Sequence, residues 1–191
     1  MAPAPAKALE DYARHREDGK VSAQPTKVMR ARHTTEDAQW KQVQVGQILK
    51  VSDGESFPAD MVLLQSTLPA GKCYVETAEL DGETNLKIRA AANDMVNLTE
   101  AGEGFDPTVI GGIVQCDAPN NELYAFNGTY THTPGVAPIP LSNDCILLRG
   151  ARLRNTEAVY GVVVYTGEET KLSMNMTAGP KKRSNVERMV R

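Results

Sequence analysis

No apolar run in this 191-residue chain approaches the roughly 18 residues needed to cross a bilayer as a helix. The longest, Ala158 to Tyr165, reads as a buried strand. The opening Met1-Ala-Pro-Ala-Pro-Ala lacks the apolar core of a signal peptide. There are three cysteines (Cys73, Cys116 and Cys145), an odd number with no metal-ligand spacing, which points to reduced thiols and a cytosolic setting. In that setting the sequons at Asn97 and Asn127 carry no glycosylation signal. His15, His33 and His132 stand in separate segments without a ligand pattern. A net charge of -3 and a pI near 5.7 give no global basic field, so nucleic acid is not an expected partner. Also missing are the Gly-x-x-x-x-Gly-Lys-Ser/Thr phosphate loop, the Gly-x-Gly-x-x-Gly fingerprint and the Gly-x-Ser-x-Gly elbow. A self-sufficient enzyme would have little but carboxylates to work with.

What is present fits one ordinary globular domain with arms: 41% hydrophobic and 24% charged residues. Lys7 to Asp18 has a helical apolar face, with Gly19 as its stop. Short strands are expected at 27–32, 40–43, 47–51, 61–64 and 73–76, separated by charged or Gly-containing turns. Residues 90–107 read as a loop with a short helix. Residues 110–115 and 123–126 read as a hairpin turned by Ala118-Pro-Asn-Asn121, and 131–140 as a Pro-rich loop. Strands at 144–148, 151–154 and 158–165 precede a helical turn at 169–176 and a basic tail from Pro180. The expected class is mainly β, a sandwich, jelly roll or distorted barrel with short helices at both ends. The expected limits are an arm at 1–20, a β-domain at 21–179 and a basic linker at 180–191.

The stretch with most chemistry is Leu80-Asp-Gly-Glu-Thr-Asn-Leu-Lys87. Gly82 can take φ > 0, so the chain can turn sharply and present Asp81 and Glu83 on one small loop. Glu83 could accept a proton from water or orient it, and Thr84 could add a hydrogen bond at the same place. Taken by itself the triplet reads as a surface turn between two strands, and only its neighbours favour the functional reading. Glu76 and Glu79 are expected to pair with Lys72, Lys87 or Arg89 on the sheet surface. A second Asp-Gly-Glu, Asp53 to Glu55, reads as a hairpin turn. Nothing in the chain supplies an electrophile or a metal for Glu83 to act on.

The residues resemble a known family, the type-IV P-type ATPases or phospholipid flippases, and within it the actuator domain between the second and third transmembrane helices. The resemblance runs over most of the chain. Glu10 to Asp18 resembles the family's leading helix, and Trp40-Lys-Gln-Val-Gln-Val-Gly-Gln-Ile-Leu-Lys50 its W-x-x-V-x-V-G-D-I-V-K run. Phe57-Pro-Ala-Asp60 with Val62-Leu-Leu64, Cys73-Tyr-Val-Glu-Thr77 and Leu80 to Lys87 follow in register. So do Pro119-Asn120, Leu123-Tyr124, Leu147-Leu-Arg-Gly150, Leu153-Arg-Asn-Thr156, Tyr160-Gly-Val-Val163, Thr166-Gly167, Thr170-Lys-Leu172 and Lys182-Arg-Ser184. Gln47, Glu79, Ala158 and the Pro-rich 131–140 segment depart from the pattern, and none of them touches Asp81 to Thr84.

The resemblance implies a jelly-roll or double-stranded β-helix-like actuator fold, cytosolic, in a multi-pass membrane protein. Residues 1–20 would lead in from the second transmembrane helix and 180–191 towards the third. Glu83 would position the water that attacks an aspartyl-phosphate on another domain, with Asp81, Gly82 and Thr84 shaping the loop. This domain would hold no cofactor or metal itself; ATP and Mg²⁺ would bind elsewhere in the parent. Its partners would be the phosphorylation and nucleotide-binding domains of the same polypeptide, a phospholipid reached through the membrane helices, and in some parents an accessory subunit. Alone it would be inactive. The alternatives are the actuator domain of a cation pump, whose loop reads Thr-Gly-Glu-Ser, and a non-catalytic β-sandwich binding module.

Overall fold

The computed structural model describes residues 19–31, 34–99, 106, 110–132 and 137–178. The helix expected over 7–18 and the tail from Pro180 lie outside them. Twelve strands form three antiparallel sheets among the described residues. The largest has six strands: β1 (Pro25–Ala31), β2 (Thr34–Gln39), β3 (Ile48–Ser52), β4 (Asp60–Ser66), β10 (Ile146–Leu147) and β12 (Ala158–Tyr165), ordered β10-β4-β12-β3-β1-β2. A second sheet is β11 (Arg152–Arg154), β5 (Lys72–Glu76) and β6 (Lys87–Ala90) in that order. The third is β7 (Ile113–Cys116), β8 (Gly128–Thr131) and β9 (Ile139–Leu141). Short helices α1 (Ala78–Asp81) and α2 (Asn93–Thr99) flank β6, and α3 (Lys171–Ala178) follows β12. The mainly β expectation is what the chain adopts.

β4 is the wall between two cores. Its side chains alternate by the two-residue period of a strand. Met61 and Leu63 face a cluster with Leu49, Val51, Phe57, Val75, Leu153 and Val159. Val62 and Leu64 face the other, with Met95, Phe126, Tyr130, Leu141 and Tyr165. Burial on both faces makes the segment read as a continuous apolar run rather than an alternating one. Each such side chain contributes roughly 1.5–3 kcal/mol by leaving water.

Several elements differ from the sequence expectation. Residues 19–22 are helical, so Gly19 does not end a helix. Trp40–Gln42 is a 3₁₀ turn and not a strand: Gln42 Oε1 accepts from the Gln39 amide at 2.7 Å, one half of a capping box that holds the turn. β2, exposed along most of its length, carries no apolar alternation to betray it. β7 pairs with β8 and not with 123–126, bringing Cys116 opposite Gly128. A Cβ at Gly128 would stand 2.9 Å from the Gln115 carbonyl oxygen, so the close pairing needs glycine. β9 overlaps the end of the stretch read as a Pro-rich loop, and its Pro140 is tolerated because β9 is an edge strand. Asn143–Cys145 is a 3₁₀ turn, leaving only two residues for β10.

Candidate functional site

The Leu80 to Lys87 stretch connects α1 to β6. Helix α1 is a single turn, closed by Gly82 at φ 77° and ψ 1°, whose amide donates to the Ala78 carbonyl at 3.0 Å. That left-handed conformation costs a residue with a Cβ about 1–2 kcal/mol, which is why glycine stands there. Leu80 packs against both cores and fastens the turn to the body, whereas Leu86 is exposed. The loop tip, Gly82 to Asn85, faces solvent.

Asp81 gathers the loop. Its carboxylate accepts from the Thr77 hydroxyl at 3.0 Å, the Glu83 amide at 3.0 Å and the Lys87 ammonium at 2.5 Å. It also accepts from the hydroxyl of Tyr124, which lies in the turn between β7 and β8. Four donors fill the roughly four lone-pair sites a carboxylate offers. Burial works to raise the Asp81 pKa, but the hydrogen bonds from Lys87, Tyr124, the Glu83 amide and Thr77 outweigh it and hold the carboxyl well below the usual range. Lys87 shows the converse. Burial would lower it, and its bonds to Asp81, Glu83 and Tyr124 push it further up instead.

Glu83 is placed differently. Its side chain is 59% exposed against 14% for Asp81, and among the described residues its carboxylate meets only Lys87, at 2.9 Å. Thr84 is exposed and its hydroxyl makes no hydrogen bond with a described residue. The structure thus brings Asp81, Gly82 and Glu83 onto one turn and adds Lys87 and Tyr124 to them. The sequence reading gave Tyr124 no role, although Leu123-Tyr124 was one of the matching motifs. Its ring also lies 4.8 Å below the Lys87 ammonium.

The other acidic positions are occupied otherwise. Glu76 pairs across strands with Arg154 at 2.8 Å, and not with Lys72, Lys87 or Arg89. Lys87 is taken by the loop, and Arg89 donates to the Asn143 carbonyl at 3.0 Å. Glu79 is exposed. The second triplet is a turn, but not of a hairpin, because β3 and β4 flank β12 rather than each other. Glu55 folds back to accept from the Ser52 amide at 2.7 Å, and the Gly54 amide donates to Leu153.

Asp60 of the Phe-Pro-Ala-Asp run is fully buried and accepts the backbone amides of Arg149 at 2.8 Å and Lys171 at 2.7 Å. Desolvation pushes its pKa up to about 6, opposed by those two amides and the nearby cations. It ties β4 to the Leu147-Leu-Arg-Gly150 and Thr170-Lys-Leu172 segments. Among the described residues no group of three or more His, Cys, Asp or Glu side chains could hold a metal ion. No helix among them is long and apolar enough to cross a membrane.

Comparison with known proteins matches residues 20–178 to the family model of the P-type ATPase actuator domain. A phospholipid-transporting ATPase of Schizosaccharomyces pombe is 45% identical over 185 residues, covering 95% of this chain and 14% of that protein. The Arabidopsis thaliana proteins named probable phospholipid-transporting ATPase 4 and 5 are 42% and 43% identical, again over 95% of this chain and 14% of theirs. The chain therefore spans about one seventh of the length of the curated relatives it matches.

Proposed function

The chain belongs to the P-type ATPase actuator-domain family, and from that premise we propose that it serves a phospholipid-transporting parent by hydrolysing an aspartyl-phosphate formed on another domain. In this reading Glu83 orients a water molecule and takes up its proton as the water oxygen bonds to phosphorus. The acyl-phosphate P–O bond breaks on the opposite side, returning the aspartate carboxylate and releasing phosphate. Asp81, Gly82 and Lys87 hold the loop in shape, and Thr84 stands exposed beside Glu83 as a further hydrogen-bonding group. ATP and Mg²⁺ belong to the phosphorylation and nucleotide-binding domains of the same polypeptide, and Mg²⁺ there supplies charge neutralisation on the phosphoryl group.

The observation that carries the proposal is the contrast between two carboxylates two residues apart. Asp81 has its acceptor sites filled, while Glu83 projects into solvent from a hydrogen-bonded turn with one cation beside it. The names of the relatives favour a phospholipid over a cation as the cargo of the parent, as does the Asp-Gly-Glu-Thr loop in place of Thr-Gly-Glu-Ser. The domain acts on the cytosolic side of the membrane. By itself it hydrolyses nothing, since the phosphorylated aspartate is not in it.

The test is to follow the phosphoenzyme of the full-length protein with and without added phospholipid. Glu83→Gln is expected to leave its formation from ATP intact while slowing its lipid-stimulated decay by about 10²–10⁴-fold. Decay at the unaltered rate, or ATPase activity from the 191-residue chain alone, would refute the proposal.

A further inference from the structure

We infer that Tyr124 is a positioning residue for Glu83, acting from a distant turn through Lys87 and Asp81; the inference rests on the function proposed for Glu83. Tyr124 is 52% exposed, so filling a core is not its purpose. Its polar contacts are the site itself. The hydroxyl donates to Asp81 and accepts from Lys87 at 3.2 Å, and the ring lies beneath the same ammonium. An ammonium has three protons. On Lys87 they face Asp81 at 2.5 Å, Glu83 at 2.9 Å and the Tyr124 oxygen at 3.2 Å, so all three directions are assigned. Removing the hydroxyl frees one of them, and the Lys87 head can then swing away from Glu83.

The turn carrying Tyr124 is itself anchored, as a positioning device requires. Lys171, with none of its surface exposed, extends its ammonium to Asn120 Oδ1 at 2.6 Å and the Glu122 carbonyl at 3.0 Å. Asn175 donates to the Asn121 carbonyl at 2.6 Å. Burying a lysine is costly unless its protons are satisfied, and here it is spent on holding a surface turn. The Lys171 backbone amide rests in turn on the buried Asp60. Hydrogen bonds joined by the Lys171 side chain and the 120–124 backbone thus link the six-stranded sheet to the tip that bears Glu83. Other ties of Asp81 come from residues within six positions of it, whereas Tyr124 is 43 positions away.

The test uses the full-length protein and the phosphoenzyme assay. Tyr124→Phe keeps the ring and removes the hydroxyl; Tyr124→Leu removes both. Phosphorylation by ATP at the unaltered level shows that the other domains are intact in each variant, and an unaltered limited-proteolysis pattern of the full-length protein shows that this one is folded. Tyr124→Phe is expected to slow decay roughly tenfold, the scale set by losing a hydrogen bond to a charged group, and Tyr124→Leu more. The decisive arm repeats Tyr124→Phe in the Glu83→Gln background, where a residue acting through Glu83 adds less than about twofold. Unaltered decay in Tyr124→Phe, or the same roughly tenfold loss with and without Glu83, overturns the inference, because a merely structural role persists in both backgrounds. If Glu83→Gln alone decays at the unaltered rate, the proposed function falls and this inference with it. If Glu83→Gln is slow and Tyr124→Phe is not, only the inference falls.

Discussion

The Asp81 and Asp60 carboxyls are displaced in opposite directions, and the two should be separable by pH. Hydrogen bonds hold Asp81 below its ordinary 3.8, so its contribution to stability is present above about pH 4 and is lost as pH falls further. Desolvation lifts Asp60 from 3.8 to about 6, so its contribution is fully present below pH 3.8 and is lost as pH rises through about 6. Between those values the Asp60 effect amounts to on the order of 2–3 kcal/mol. Urea unfolding of the 191-residue chain between pH 4 and 7 is therefore expected to show an Asp60 slope that Asp60→Asn abolishes and Asp81→Asn leaves in place. An identical slope in Asp60→Asn would mean that another group titrates there. Gly82 gives a cleaner backbone test. A Cβ there would meet no atom within 4 Å, so Gly82→Ala should cost only the left-handed strain, about 1–2 kcal/mol in the same assay. A neutral result would show that the turn relaxes into another conformation.

Elements were legible where hydrophobic period and turn residues agreed. β3, β5 and β12 alternate, and β4 announces itself as an apolar run. Polar β2 left no such trace, and the 3₁₀ turn at Trp40 was masked by an apparently strand-like Trp-Lys-Gln-Val. The β7–β8 pairing was misplaced because the residues between the strands include the apolar Leu123 and Phe126, which mimic strand positions. Phe126 is buried from a turn rather than from a strand. Within β12, Gly161 marks a close approach to β4 at a register shift. A Cβ there would stand 2.5 Å from Met61 Cε and 3.0 Å from the Val62 carbonyl oxygen. Gly161→Ala should therefore destabilise by about 1–3 kcal/mol through overpacking at the centre of the sheet. Unchanged urea midpoints would indicate that Met61 moves aside freely.

Across the whole molecule, the local turn at residues 80–87 could be read from its own residues, but its support could not. Asp81, Gly82 and Glu83 lie within three positions, and a glycine between two acids is a local signal. Tyr124 reaches the loop, and Lys171 the turn that carries Tyr124, through tertiary contacts 43 and 51 residues long, which no window along the chain reveals. The two Asp-Gly-Glu triplets show the same limit. They are alike in sequence, yet Glu55 is folded onto the Ser52 amide while Glu83 projects from the surface beside Lys87. The chain covers 14% of its relatives' length, and in the function proposed for Glu83 the other half of the reacting centre lies elsewhere in the polypeptide.

The two triplets supply the most direct measurement of that account. Glu83→Gln and Glu55→Gln are made separately in the full-length protein, labelled from ATP, and chased with phospholipid present. The account predicts a phosphoenzyme that forms normally in both, decays at the unaltered rate in Glu55→Gln, and persists about 10²–10⁴ times longer in Glu83→Gln. Equal decay in the two variants would contradict it.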